Sequence, residues 1–218
     1  MTKPMRGPRG PRIKGQSRMS DSRLYHEGNR RLQDRFQSRK IADRQEQVIA
    51  RAQFTDSDKS FIESARCFFL ATADREGRPD CSFKGGAPGF VRVIGPAELA
   101  FPDFDGNGMF KSLGNIAVNP EVGLLFLDFE KPRRLRVNGS AAARSDDPLL
   151  SLTVGAQMIV RVNARVIFPN CPRYIPTMKL VEESAYAPRA GADFPEPAWK
   201  SFPEFADAVH PRQPTFKG

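Results

Sequence analysis

The stretch Asp103-Phe104-Asp105-Gly106-Asn107-Gly108-Met109-Phe110-Lys111-Ser112-Leu113-Gly114-Asn115 is a small-residue loop feeding a helical pattern after a strand. Such a helix start favours an anion. Backbone amides of the first turn, the positive end of the helix dipole, Lys111, Ser112 and the Asn107 amide can together hold a phosphate. The alternative is that Gly106 and Gly108 only make the turn and Lys111 lies on a solvated face. A second basic cluster, Lys131-Pro132-Arg133-Arg134-Leu135-Arg136, precedes a strand on which Arg134 and Arg136 share one face. It reads either as a phosphate clamp or as a charged edge that discourages aggregation.

Other chemistries lack material. The two histidines, His26 and His210, both fall in terminal segments, so neither a histidine metal centre nor a Ser/His/Asp triad can be assembled. There is no GxSxG and no GxxxxGK[ST], and Gly106-Asn107-Gly108 departs from the dinucleotide fingerprint because Lys111 stands three residues beyond Gly108. Cys67, Cys81 and Cys171 are odd in number and have no CxxC spacing, so they read as free thiols and no metal site is expected.

The elements that must position these residues are mostly strands. Cys67 to Ala73 is a continuous apolar run, Gly77-Arg78-Pro79 is a tight connection, and Asp80 to Lys84 completes a hairpin. Phe90 to Ile94 and Glu98 to Phe101 follow as short strands separated by turn residues. Residues Gly106 to Val118 carry a helical pattern that ends at Asn119-Pro120. Strands then resume over Val122 to Phe129, Arg134 to Ala141 and Met158 to Phe168. Six or seven antiparallel strands with one inserted helix predict a mainly β fold, a closed or half-closed barrel, with a sandwich as the alternative. An amphipathic segment is expected near Met178 to Val181.

Ahead of the barrel, Leu24, Leu32, Phe36, Ile41 and Val48 recur at loosely helical spacing, predicting one long exposed helix or two. Thr55 followed by Asp58 forms a capping box for a short helix carrying Phe61, Ile62 and Ala65. The expected organisation is a disordered basic tail over 1–18, a helical extension over 19–54, the barrel domain over 55–185 and a proline-rich tail over 186–218. Residues 1–51 hold 14 Lys/Arg against 5 Asp/Glu, the whole net charge of +9, whereas residues 52–218 hold 20 of each. The globular part is neutral. The tail could touch nucleic acid or an anionic membrane, but a solvated, idle extension is the expected reading, so nucleic acid is not an expected partner. Translation could start at Met1 or at Met19. No stretch approaches a membrane span, and no apolar run follows the basic N-terminus, so a cytoplasmic protein is expected.

Residues 61–150 resemble the FMN-binding core of the pyridoxamine 5'-phosphate oxidase-related split-barrel superfamily. The resemblance is carried in order by Phe68-Phe69-Leu70-Ala71-Thr72, Gly77-Arg78-Pro79, Phe101-Pro102-Asp103, Lys111-Ser112, Asn119-Pro120-Glu121-Val122-Gly123-Leu124-Leu125-Phe126 and Arg134-Leu135-Arg136-Val137-Asn138-Gly139. Tyr25-His26-Glu27-Gly28-Asn29-Arg30, Leu32-Gln33-Asp34-Arg35-Phe36 and Asn170-Cys171-Pro172-Arg173-Tyr174-Ile175 extend it to about residues 21–185 and resemble a subgroup of unassigned substrate.

The resemblance implies a split barrel and a homodimer with FMN in each of two clefts between subunits. Lys111 and Ser112 match the basic pair that grips the FMN phosphate, and Ser82 stands where the family usually has an arginine for the same group. Pro102 and Asp103 match the strand-end pair beside the isoalloxazine ring, and Arg134 occupies a position from which the second subunit reaches the flavin. Lys84, Asn107 and Asn115 join them on chemistry and placement alone, with Phe69 or Phe83 against the ring. Cys171, Arg173 and Tyr174 either border the substrate side or form a turn packed on the barrel. The C-terminal arginine and histidine pattern that holds the pyridoxal substrate has no counterpart here, so that oxidase reaction is not expected. The implied function is FMN-dependent redox chemistry on a small molecule; the alternative is a non-catalytic flavin, deazaflavin or haem carrier.

Overall fold

The computed structural model describes residues 22–191, 195–205 and 207–209. The expected basic tail, Met19 and His210 lie outside the described residues. The chain divides into two compact units, residues 1–48 and 49–218. No helix among the described residues is long and apolar enough to cross a membrane.

In the first unit two helices stand where the loose helical spacing predicts them: α1 (Glu27–Arg35) and α2 (Arg39–Ile49), whose final residue begins the second unit. His26 caps α1, its imidazole accepting from the Gly28 amide while its own amide donates to Asn29 Oδ1. Glu46 accepts from the Ser22 hydroxyl and from the amides of Arg23 and Leu24. Arg30 pairs with Asp43 at 2.5 Å, so this hairpin is laced by charge.

The second unit is built on one seven-stranded antiparallel sheet: β1 (Cys67–Ala73), β2 (Pro79–Gly85), β3 (Arg92–Gly95), β4 (Glu98–Phe104), β5 (Glu121–Asp128), β6 (Arg133–Arg144) and β7 (Ala156–Asn170). The order across the sheet is β2-β1-β5-β6-β7-β4-β3, the split barrel the alternating runs predict. Burial alternates with period 2 along β1, β2, β5 and β6. Phe68, Leu70 and Thr72 of β1 point inward, as do Val122, Leu124 and Phe126 of β5 and Leu135, Val137 and Ala141 of β6. Phe68 is the hub, with ring centroids 5.0 Å from Phe101, 5.1 Å from Phe126 and 6.0 Å from Phe90.

Helix α3 (Asp56–Ser64) leads into the core through Phe61 and Ile62. Its capping box forms as the sequence predicts: the Asp58 amide donates to Thr55 Oγ1 at 3.1 Å, and the Thr55 amide donates to Asp58 Oδ2 at 3.0 Å. Thr55→Ala is therefore expected to lower stability by about 1 kcal/mol, read as an unchanged denaturant slope with an earlier midpoint. Arg51 Nη2 also donates to both Asp58 carboxylate oxygens, and a midpoint that does not move would show that this pair suffices to hold the turn.

Three expectations need correction. The inserted helix α4 spans Lys111–Val118, not Gly106–Val118, because Gly108 (φ 72°) and Phe110 (φ 47°) are left-handed and Asn107 Oδ1 accepts from the Met109 amide in a local turn. The strand expected from Phe90 begins only at Arg92, since Gly89 (φ 88°) and the Phe90 amide bonded to Ala87 O form a turn first. The segment Met178–Val181, expected to be amphipathic, is exposed throughout and forms neither helix nor strand: the Met178 amide donates to Phe129 O and the Leu180 amide to Glu130.

Candidate functional site

The site is set by how β2 and α4 meet. On β2, Ser82 stands opposite Leu70 and Lys84 opposite Phe68, so both take the inward face although β2 is a sheet edge. Helix α4 lies against β1, β2 and β6. This brings the Ser82 and Ser112 hydroxyls to 3.0 Å, sharing one hydrogen bond. Ser112 is buried and Lys111, one residue earlier, is exposed. No side chain caps α4, because its leading residue is Phe110. The first turn together with Ser82 thus presents amides, two hydroxyls and a lysine.

Near the end of β4, Pro102 is buried and Asp103 is half-buried. Gln157 Nε2 donates to Asp103 Oδ2 at 2.9 Å. Burial raises the Asp103 pKa above the ordinary carboxylate range, while the Gln157 hydrogen bond and the positive charge of Lys84 oppose the rise. Lys84 and Asp103 are therefore electrostatic neighbours. A carboxyl with a raised folded pKa destabilises the fold above that pKa and not below the unfolded value. Asp103→Asn is accordingly expected to raise the thermal midpoint at neutral pH, with the gain fading as the pH falls through the native carboxyl's range. A lower midpoint at neutral pH would mean that the pull of Lys84 outweighs burial.

The two asparagines are engaged elsewhere. Asn115 is buried and its Nδ2 donates to Thr72 Oγ1 at 2.9 Å, tying α4 to β1. Asn107 accepts from Met109 within its own loop. Asn107 thereby shapes the loop before α4, and Asn115 fixes the helix itself.

Arg134 lies apart. It alternates with the inward residues Leu135 and Val137, so it takes the outer face of the sheet, opposite Leu127 on β5 and Asn170 on β7. Arg134 Nε and Asn170 Oδ1 are both buried without a partner. Next to them, Cys171 has a thiol pKa held below its ordinary value by the Arg173 backbone amide, and further by the Arg173 and Arg134 charges. Tyr174 is 92% exposed with φ 73°. Within the chain these residues form a second group on the outer face, not a continuation of the cradle. Phe83, 64% exposed, meets Phe69 edge to face at 6.0 Å on the same outer face.

Thr72, quoted only as the end of the first motif, and Gln157 and Lys200 were not among the expected site residues. Strand alternation from Phe68 and Leu70 would have placed Thr72 inward. Gln157 reaches Asp103 across 54 residues and Lys200 reaches Asp105 across 95, and nothing local signals either contact. Among the described residues there is no group of ligating side chains that could hold a metal ion.

Solved structures similar to this chain include HupZ of Group A Streptococcus, 16% identical over 58% of this chain and 99% of that one, with a TM-score of 0.45. An FMN-binding protein of Syntrophomonas wolfei is 13% identical over 64% of this chain and 97% of that one, with a TM-score of 0.42. The haem storage protein HutZ of Vibrio cholerae is 18% identical over 53% and 94%, with a TM-score of 0.40. No curated protein matches the sequence. The family model described as pyridoxamine 5'-phosphate oxidase matches residues 54–182, more than half of the chain, and the chain therefore belongs to the pyridoxamine 5'-phosphate oxidase family.

Proposed function

We propose that this chain is an FMN-binding flavoprotein and an oxidoreductase of the pyridoxamine 5'-phosphate oxidase-like type, acting on a small molecule other than the oxidase's own substrate. The observation that carries the reading is the Ser82–Ser112 hydroxyl pair at the uncapped start of α4, with Lys111 beside it. That donor set suits a phosphate monoester: amides and hydroxyls donate to its oxygens and the lysine offsets its charge. Lys84, two residues from Ser82 on the same face, supplies the positive charge that a serine in place of the family's arginine lacks. Pro102 and Asp103 border the ring. Bound FMN would supply electron and hydride transfer at its isoalloxazine ring; the protein's part is to hold and orient it.

The working form in this reading is a homodimer in which the outer face of one barrel, with Phe69, Phe83 and Arg134, covers the flavin of the other. Exposed Phe83 on a sheet face suits burial against a second copy. Cys171, Arg173 and Tyr174 then border the substrate side.

A visible spectrum of the purified protein, with mass identification of the cofactor released on denaturation, tests the proposal. Oxidised-flavin bands with FMN released are expected. A colourless protein that refuses added FMN sinks the reading. A bound flavin that no reductant or substrate turns over would make the protein a carrier, as would release of a deazaflavin or haem in place of FMN.

A further inference from the structure

Asp105–Phe110 is the loop that joins the strand-end residues Pro102 and Asp103 to Lys111 and Ser112. It lies outside any strand or helix and turns through two left-handed positions, Gly108 and Phe110. Segments of this kind open most readily, yet the two halves of the cradle depend on its shape. A distant part of the chain holds it. Lys200 Nζ donates to Asp105 Oδ2 at 2.7 Å and also lies 3.1 Å from Glu196 Oε2. The Lys200 side chain is only 13% exposed, low for a lysine, and its bond to Asp105 holds its pKa above the ordinary value.

The segment that delivers Lys200 is itself ordered by its sequence. Pro197 precedes a short 3-10 turn, Ala198–Ser201, and Pro fixes φ at the entry to such a turn. Ser201 Oγ donates to Ala198 O at 2.8 Å, and Trp199 meets Phe205 edge to face at 6.0 Å. A lysine on this turn has a defined direction instead of a free sweep.

We propose that Glu196–Phe205 is a strap across the loop before α4, that Lys200 is the positioning residue that holds the loop through Asp105, and that flavin binding is coupled to this closure. The proposal rests on the FMN reading above. Lys200 touches no part of the cradle; it acts through Asp105 on the loop that sets the distance between Asp103 and Ser112. Trp199, the chain's single tryptophan, travels with the strap and reports on it.

The test uses the full chain as wild type, Lys200→Ala, Lys200→Arg, Asp105→Asn and the Lys200→Ala/Asp105→Asn double variant. Hydrogen exchange of the Asp103–Phe110 amides, measured without ligand, is expected to quicken in Lys200→Ala and to return toward wild type in Lys200→Arg. In an FMN titration, Lys200→Ala and Asp105→Asn should each bind roughly three- to tenfold more weakly, the scale of a partly buried ion pair. The double variant should lose less than the sum of the two single losses, because the Lys200–Asp105 bond is common to both. Trp199 emission in the wild type should fall as FMN saturates. Unchanged exchange in Lys200→Ala, or wild-type FMN affinity in it, overturns the strap while leaving the flavin site standing. Fully additive losses in the double variant, or Trp199 emission indifferent to FMN, also overturn it. A wild-type protein that takes up no FMN overturns the flavin reading, and the coupling with it.

Discussion

Replacing Gly139 by alanine is expected to lower the stability of the barrel unit by about 3 kcal/mol, and its thermal midpoint by roughly 6–12 °C. β6 and β7 form the longest pair in the sheet, and their register shifts between Asn138, opposite Val166, and Gly139, opposite Ala164. Arg165 is the extra residue on β7, so the strands bend at a bulge there. A Cβ on Gly139 would lie 2.0 Å from Asn163 O and 3.0 Å from Ala164 Cα. Both are backbone atoms, which cannot swing aside as a side chain would, so the strands must part or the bulge must move. Gly114→Ala is the matched control: nothing lies within 4 Å of the added carbon, the position is exposed on α4, and a gain of about 0.5–1 kcal/mol is expected. Thermal unfolding of both variants decides it. Equal midpoints would show that the bulge tolerates a methyl and that the close approach is not a constraint.

The second large effect concerns the cradle. Lys111→Ala and Ser112→Ala are each expected to weaken FMN binding about ten- to a hundredfold, the scale of a hydrogen bond or contact to a charged group. Riboflavin, which lacks the phosphate, separates this cause from a general loss of the site. Wild type should favour FMN over riboflavin strongly, and each variant should narrow that gap while its riboflavin affinity stays nearly level. Raising the salt concentration should weaken wild type more than Lys111→Ala, because the lysine's contribution is largely electrostatic. Parallel losses for both ligands would show that Lys111 and Ser112 do not face the phosphate. Of the two, Ser112 is also buried and bonded to Ser82, so Ser82→Ala supplies a check: it should cost FMN binding less than Ser112→Ala if Ser82 only orients its partner.

These predictions differ in what they draw on. Ser112 was legible because helix starts, small residues and a lysine cluster within thirteen consecutive positions, and a helix N-terminus is a local device. Its partner Ser82, thirty residues earlier, followed from the family resemblance alone; nothing local in Cys81-Ser82-Phe83 distinguishes it from a solvated strand edge. Asn107 and Asn115 sit in the same motif as Ser112 and have the same chemistry on paper. The fold spends one on a turn with Met109 and the other on Thr72, since each found a nearer backbone or buried hydroxyl to satisfy.

Strand identity, the capping box at Thr55 and Asp58, and the alternation of β6 that turns Leu135 and Val137 inward were determined by the sequence itself, because strand period and capping are local rules. The bulge at Gly139, the placing of Arg134 on the outer face of the sheet, and the long-range bonds from Gln157 to Asp103 and from Lys200 to Asp105 were decided only by tertiary structure. Each depends on which separate segment arrives opposite a given residue, and such pairing leaves no periodic trace in either partner.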